Sequence, residues 1–241
     1  MHSRSVRALY VPDCTTFNAR VESLTSEPHR VWKTSATTKP PGRIFYGQLV
    51  DGVTVASRGE GVWISVGDCP VIVVADPEKK RFVAAHAGRD SVIDRQRILT
   101  GKTDRKHEGI TQAAIDALIG TETKRIKKLY AGVFCSVGAR HFCHSLDHEV
   151  YGRQNAMILM DILHKHGARE PEVLIGSSHS GFINLPILIR SQLLSAGVPA
   201  AQILLDGTDT FDDRRSIDRK HLWWSNVRGD KGRNGVLVYF R

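Results

Sequence analysis

Between Val62 and Asp90 the chain sets apolar runs between short polar breaks: VWISV, then Gly67-Asp-Cys-Pro70, VIVVA, Asp76-Pro-Glu-Lys-Lys80, and finally FVAAH. Runs of this length, rich in Val, Ile and Ala and bounded by turn residues, predict three short strands. The charged Asp76–Lys80 stretch reads as a hairpin tip joining the second strand to the third. Pairing of residues 71–75 with 81–85 would bring Cys69 and His86 to the same end of neighbouring strands, about 4.8 Å apart. A thiolate and an imidazole so placed could share a proton or a metal ion. The alternative is a buried cysteine behaving as a small hydrophobe beside a hydrogen-bonded histidine.

Elsewhere the pattern predicts a strand at Val6–Val11, a short helix over Phe17–Leu24, a turn-rich connector at Thr34–Gly42, and strands at Arg43–Val50 and Gly52–Val55. Asp90–Glu108 reads as a charged loop or frayed helix. Apolar residues at 110, 113, 114, 117 and 118 give Ile110–Ile119 the helical repeat. The basic run Lys124, Arg125, Lys127 and Lys128 reads as a solvated face ahead of a Tyr130–Val137 strand. Leu146–His166 is the longest helical pattern, closed by Lys165, His166 and Gly167. After a strand at Val173–Ile175, Asn184 caps a helix over Leu185–Ala196 that Gly197 stops, and Ile203–Leu205 and Val236–Phe240 supply further strands. Strands alternating with helices indicate a mixed α/β (α+β) architecture, with residues 1–241 as a single domain.

Composition narrows the function classes. No stretch is long and apolar enough to cross a bilayer, and the first residues lack a secretory apolar run, so no membrane role is expected and the cytoplasm is the expected location. The cysteines Cys14, Cys69, Cys135 and Cys143 show no disulfide or CxxC spacing and are expected as free thiols. A formal charge of +9 favours anionic partners such as phosphate or nucleotides.

Asp68-Cys69-Pro70-Val71, Asp76-Pro77 and Ala84-Ala85-His86-Ala87-Gly88 resemble the bacterial laccase-domain family, long described as polyphenol oxidases and now regarded as purine nucleoside phosphorylases. Ser136-Val137-Gly138, LIRSQLLSAGVP at 188–199 and WWSNVRGDKGRNGVLVYF at 223–240 are similar to later family segments, in order. The resemblance implies mixed β-sheets covered by helices, in a fold shared with cysteine hydrolases. It also implies phosphorolysis of adenosine or inosine, with adenosine deamination as a related activity, and a zinc ion held by Cys69, His86 and a further histidine. Purine nucleoside and phosphate would be its partners, and nucleic acid would not.

The chain departs from the family where a Q-V-H-G motif should supply the first zinc histidine. His29 lies at a similar distance upstream, and Asp51 in Gln48-Leu49-Val50-Asp51-Gly52 is a possible oxygen ligand. Arg89 replaces the family's tryptophan after His-Ala-Gly. Without metal, Cys69 and His86 would form a nucleophilic pair, as in the deamidase domain of the cytotoxic necrotising toxins that the family's fold resembles, and the chain would be a hydrolase or amidase acting in deamidation or cell-wall precursor editing. A third reading is a basic, non-enzymatic binding protein.

For phosphate, Arg228 and Arg233 are the arginine candidates, since a guanidinium fork binds two oxygens at once. Ser225 keeps the family's residue type, and His141 is a candidate purine contact. Two weaker features accompany these: the Gly176–Gly181 loop as an anion cradle, and His144 with His148 four residues apart as a chelating pair if helical. Trp223 and Trp224 read as core, with stacking on a base as the alternative for one of them.

Overall fold

The computed structural model describes residues 52–56, 60–103, 108–176, 180–214 and 221–240, together with the backbone of the strands at 17–24 and 43–46. The predicted strand at Val6–Val11, the connector at Thr34–Gly42, His29 and Asp51 lie outside the described residues.

The strands are β1 (Phe17–Leu24), β2 (Arg43–Tyr46), β3 (Gly52–Val55), β4 (Glu60–Val66), β5 (Val71–Asp76), β6 (Arg81–His86), β7 (Tyr130–Phe134), β8 (Cys143–Ser145), β9 (Leu174–Gly176), β10 (Ser180–Ile183), β11 (Ile203–Leu205) and β12 (Arg233–Phe240). The α-helices are α1 (Arg89–Val92), α2 (Arg95–Thr100), α3 (Ile110–Ile119), α4 (Gly152–His166) and α5 (Leu185–Ala196). They build a mixed α/β fold. Its central sheet runs in the order β11-β7-β5-β6-β3, a second sheet in the order β1-β12-β4-β2, and a small third sheet in the order β8-β10-β9.

All six residues of β5 are buried, because both faces of the central sheet are covered. Ile72 and Val74 point to one face, with Val83 and Ala85 of β6 and Ala131 and Val133 of β7. There they meet Ala114, Ile115 and Leu118 of α3, Ile158 and Ile162 of α4, and Leu188 and Leu193 of α5. Val71, Val73 and Ala75 point the other way, onto Val62, Ile64 and Val66 of β4 and Val236 and Val238 of β12. The period-two alternation thus fills two cores from one strand, each Val or Ile contributing on the order of 2 kcal/mol.

The predicted helix over Phe17–Leu24 is instead a strand, paired with β12 from Phe17↔Phe240 to Leu24↔Arg233. Apolar Phe17, Ala19 and Val21 alternate with Asn18, Arg20 and Glu22, a strand period that tertiary pairing realises. The longest helix begins at Gly152 rather than Leu146, since residues 147–151 form a turn in which the Gly152 N–H donates to the His148 carbonyl at 2.7 Å. The Lys124–Lys128 run is a 3-10 turn whose lysines are exposed, as a solvated face requires, with Lys128 meeting Glu78 at 2.8 Å; Arg125 departs from it, forking onto buried Asp76 at 2.6 and 2.9 Å. No helix among the described residues is long and apolar enough to cross a membrane.

Candidate active site

One end of the central sheet gathers four chain segments. Val71, the first residue of β5, stands opposite His86 at the end of β6 and opposite Phe134 at the end of β7. Leu205, the last residue of β11, pairs beside Val133. The turn before β5, carrying Asp68 and Cys69, therefore shares this end with the segments that follow His86, Phe134 and Leu205. The Ala87 N–H donates to the Pro70 carbonyl at 2.7 Å and fastens the first two together.

Cys69 and His86 face each other over Gly88. A Cβ at Gly88 would stand 3.6 Å from Cys69 Sγ, 3.6 Å from His86 Nε2 and 3.1 Å from His86 Cε1. Gly88 has φ −64° and ψ 160°, a conformation open to any residue, so what a side chain there would meet is the space bordered by sulfur and imidazole, tight only against His86 Cε1. Cys69 is half-buried. Burial pushes its thiol above the ordinary range, and the nearby carboxylates of Asp68 and Asp90 push the same way.

Asp68 positions the cysteine turn. Its carboxylate accepts from the Thr210 hydroxyl at 2.6 Å and from the Val227 N–H at 2.7 Å, while its carbonyl accepts from the Val137 N–H at 2.9 Å. Three distant loops are thus pinned around one turn. Cys135, directly after β7, adopts φ +62°, a left-handed conformation uncommon outside glycine, and is fully buried.

The other residues singled out in the sequence take different places. His141 lies outside the central sheet, stacked on Phe211 with ring centroids 3.8 Å apart, and its Nε2 is 2.7 Å from Asp212 Oδ2. His141, Asp209 and Asp212 bring one ligand atom each within 4.8 Å of one another, a group that could hold a metal ion. Asp209 Oδ1 already accepts from the Gly138 and Phe211 N–H groups, both at 2.9 Å. Arg228 is committed to structure: its guanidinium donates to the carbonyls of Phe211 at 2.5 Å and Trp223 at 2.7 Å and pairs with Asp230 at 2.5 Å. Ser225 is fully buried, its hydroxyl accepting from the Arg228 N–H at 3.3 Å. Arg233 is exposed and donates to the Gly232 carbonyl at 2.9 Å. Trp223 is buried, with its indole N–H on Asp213 at 3.1 Å, and Trp224 lies against Gly232. Gly176 pairs with Gly181 in antiparallel β9 and β10, so the Gly176–Gly181 candidate cradle is flanked by strands rather than by a helix start, and its residues 177–179 lie outside the described residues.

Beside the Cys69–His86 pair lies a cleft of about 370 Å³ lined by Arg89, Arg95, Cys143, His144, Ser145, His148, Tyr151 and Asn155. Arg89 links the two, because it follows Gly88 directly. His144 and His148 sit on β8 and in the turn after it, not on a shared helical face. His144 is buried, and burial, with Arg89 adding positive charge nearby, lowers its pKa to about 4, so the ring is neutral at physiological pH. Sequence reading did not single out Arg95, Tyr151 or Asn155. The one local signal was Arg89, a cation where the family carries a tryptophan.

A thiol and an imidazole thus border one space over Gly88 at this end of the central sheet, and both are donor types that suit a borderline-soft cation. The chain belongs to the enzyme-like family described as multi-copper polyphenol oxidoreductase laccase, whose model matches residues 18–241. Among solved structures it is similar to the hypothetical protein YfiH of Bacillus licheniformis, at 17% identity with a TM-score of 0.57, covering 79% of this chain and 61% of that one. It is also similar to YlmD of Geobacillus stearothermophilus, at 20% identity with a TM-score of 0.56, covering 80% of this chain and 61% of that one. The match thus spans less than two thirds of either neighbour and concerns the fold. No curated protein matches the chain.

Proposed function

We propose that this protein is a purine nucleoside phosphorylase-like enzyme in which Cys69 and His86 hold a zinc ion. The observation that carries the reading is the space over Gly88, which a single added methyl group would crowd and which sulfur and imidazole nitrogen both border. Zinc bound there would act as a Lewis acid with an open coordination position. Asp51 and His29 are the candidates for a third protein ligand.

In phosphorolysis a phosphate oxygen forms a bond to C1′ of the ribose while the C1′–N9 bond breaks. The electron pair leaves on the purine, which takes up a proton. The chain's own groups contribute position and charge. Asp68 holds the cysteine turn through Thr210 and Val227, Gly88 leaves room between the two donors, and the cleft beside Arg89 has the size of a small-ligand site.

A metal-free Cys–His hydrolase is less favoured, because Cys69 sits where burial and two carboxylates keep its thiol protonated. A bound cation would oppose both effects. The test is base release from inosine and adenosine by purified protein, with and without phosphate. The reading expects release only with phosphate, yielding ribose 1-phosphate, and loss of release in Cys69→Ala. Equal release without phosphate would indicate a hydrolase, and no release under either condition would overturn the reading.

A further inference from the structure

The cleft next to the Cys–His centre has an unbalanced lining. Arg89 and Arg95 both line it, and no Asp or Glu is among its described lining residues. Arg89 Nε meets Asp90 at 2.9 Å, which leaves Nη1 without a partner among the described residues. Arg95 Nη2 donates to Gln154 Oε1 of α4 at 2.5 Å, leaving Nε and Nη1 without partners among the described residues. These groups keep several donors available in a concave, partly desolvated place, where an unmatched guanidinium is costly unless an anion or water meets it.

Three further features point the same way. His148 Nδ1 accepts from the N–H groups of Val150 and Tyr151, both at 3.2 Å, so in its neutral tautomer Nε2 carries the proton and is a donor on the cleft wall. Ser145 and Asn155 line the same wall, and Asn155 Nδ2 donates to the Ser145 carbonyl at 2.8 Å. The wall is held from both sides, since α2 packs on α4 and the Arg95–Gln154 bond crosses between them. By contrast, Arg228 has its guanidinium bound to carbonyls and Asp230, and Arg233 is exposed and absent from the lining.

We infer that Arg89 and Arg95 form an oxyanion site that binds inorganic phosphate beside the Cys69–His86 centre, with His148 as an additional donor. The choice of phosphate among oxyanions rests on the phosphorolysis reading. The site itself rests on the lining of the cleft. Arg89 connects the two places along the chain, since it follows Gly88 directly and also lines the cleft.

The experiment is calorimetric titration of the full chain with inorganic phosphate in the absence of nucleoside, at low salt, with near-ultraviolet circular dichroism to check each variant's packing. Wild type should bind phosphate. Arg95→Gln and Arg89→Gln should each bind at least tenfold more weakly, Arg95→Lys should fall between, and Arg233→Gln should bind as wild type. The inference is overturned if wild type binds no phosphate, if the Arg89 and Arg95 variants bind unchanged, or if Arg233→Gln alone abolishes binding. The two readings fail separately. Phosphate binding that is lost in Arg95→Gln, in a protein that turns over no nucleoside, keeps the anion site and removes the phosphorylase. Phosphate-dependent base release that survives both substitutions does the reverse.

Discussion

The Asp68 carboxylate accepts a 2.6 Å hydrogen bond from the hydroxyl of Thr210, 142 residues further along the chain. The same carboxylate takes the Val227 N–H, so the residue before the proposed metal-binding cysteine also ties two later loops to the sheet end. Asp68→Ala would leave the buried Thr210 hydroxyl without its acceptor, at about 1–3 kcal/mol, and would also remove the acceptor of the Val227 N–H. The expected result is a loss of several kcal/mol in urea unfolding and weaker metal retention by the folded fraction. Asp68→Asn should be milder, because its carbonyl can still accept from Val227 while its amide donates to Thr210.

Gly88 separates stability from function. Its φ of −64° suits alanine, so Gly88→Ala should fold with stability within about 1 kcal/mol of wild type. The new methyl would stand 3.1 Å from His86 Cε1 and force the imidazole aside. Metal affinity, measured by competition with a chelator, should drop by about tenfold or more. An unchanged affinity would place the metal elsewhere.

Arg228 was a sequence candidate for phosphate, and its surroundings make it a structural residue. Arg228→Gln removes the donors to the Phe211 and Trp223 carbonyls and leaves Asp230 unpaired, which should cost about 2–4 kcal/mol in chemical unfolding. Phosphate affinity of the protein that remains folded should stay within about twofold of wild type.

His144 predicts a pH dependence. The folded chain holds this imidazole neutral down to about pH 4, whereas an unfolded chain protonates it near 6.5. Between those values the unfolded state binds more protons, so stability is complete above about 6.5 and declines as pH falls toward 4. Compared with His144→Gln, which does not titrate, wild type should lose roughly 2 kcal/mol over that window, once solvent in the adjoining cleft is allowed for. A stability difference that stays flat from pH 7 to pH 4 would contradict the burial of the ring.

Local pattern revealed much of this molecule. The β5–β6 hairpin was legible because Val, Ile and Ala runs flank a charged Asp-Pro tip, and that pairing alone brought Cys69 to His86. Helix α3 was legible from its apolar periodicity alone, and α5 because periodicity agreed with the Gly197 stop and with the Asn184 cap, whose side chain accepts from the Ile187 N–H. Phe17–Leu24 was misread because its partner β12 lies at the other end of the chain, and the pairing that decides its conformation is non-local. Arg228 looked like a ligand-binding arginine because nothing in its neighbours announces that backbone carbonyls will occupy it. The cleft was invisible for a related reason: α2, β8 and α4 meet only in the folded protein, and Arg95, His144 and Asn155 belong to separate elements.

Metal content, measured by mass spectrometry on purified wild type, Cys69→Ala, His86→Ala and His141→Ala, tests the central claim most directly. Joint binding of one ion by sulfur and imidazole predicts near-stoichiometric zinc in wild type and in His141→Ala, and zinc lost from both Cys69→Ala and His86→Ala. A metal-free wild type, or zinc that persists in those two variants and disappears with His141, would contradict it.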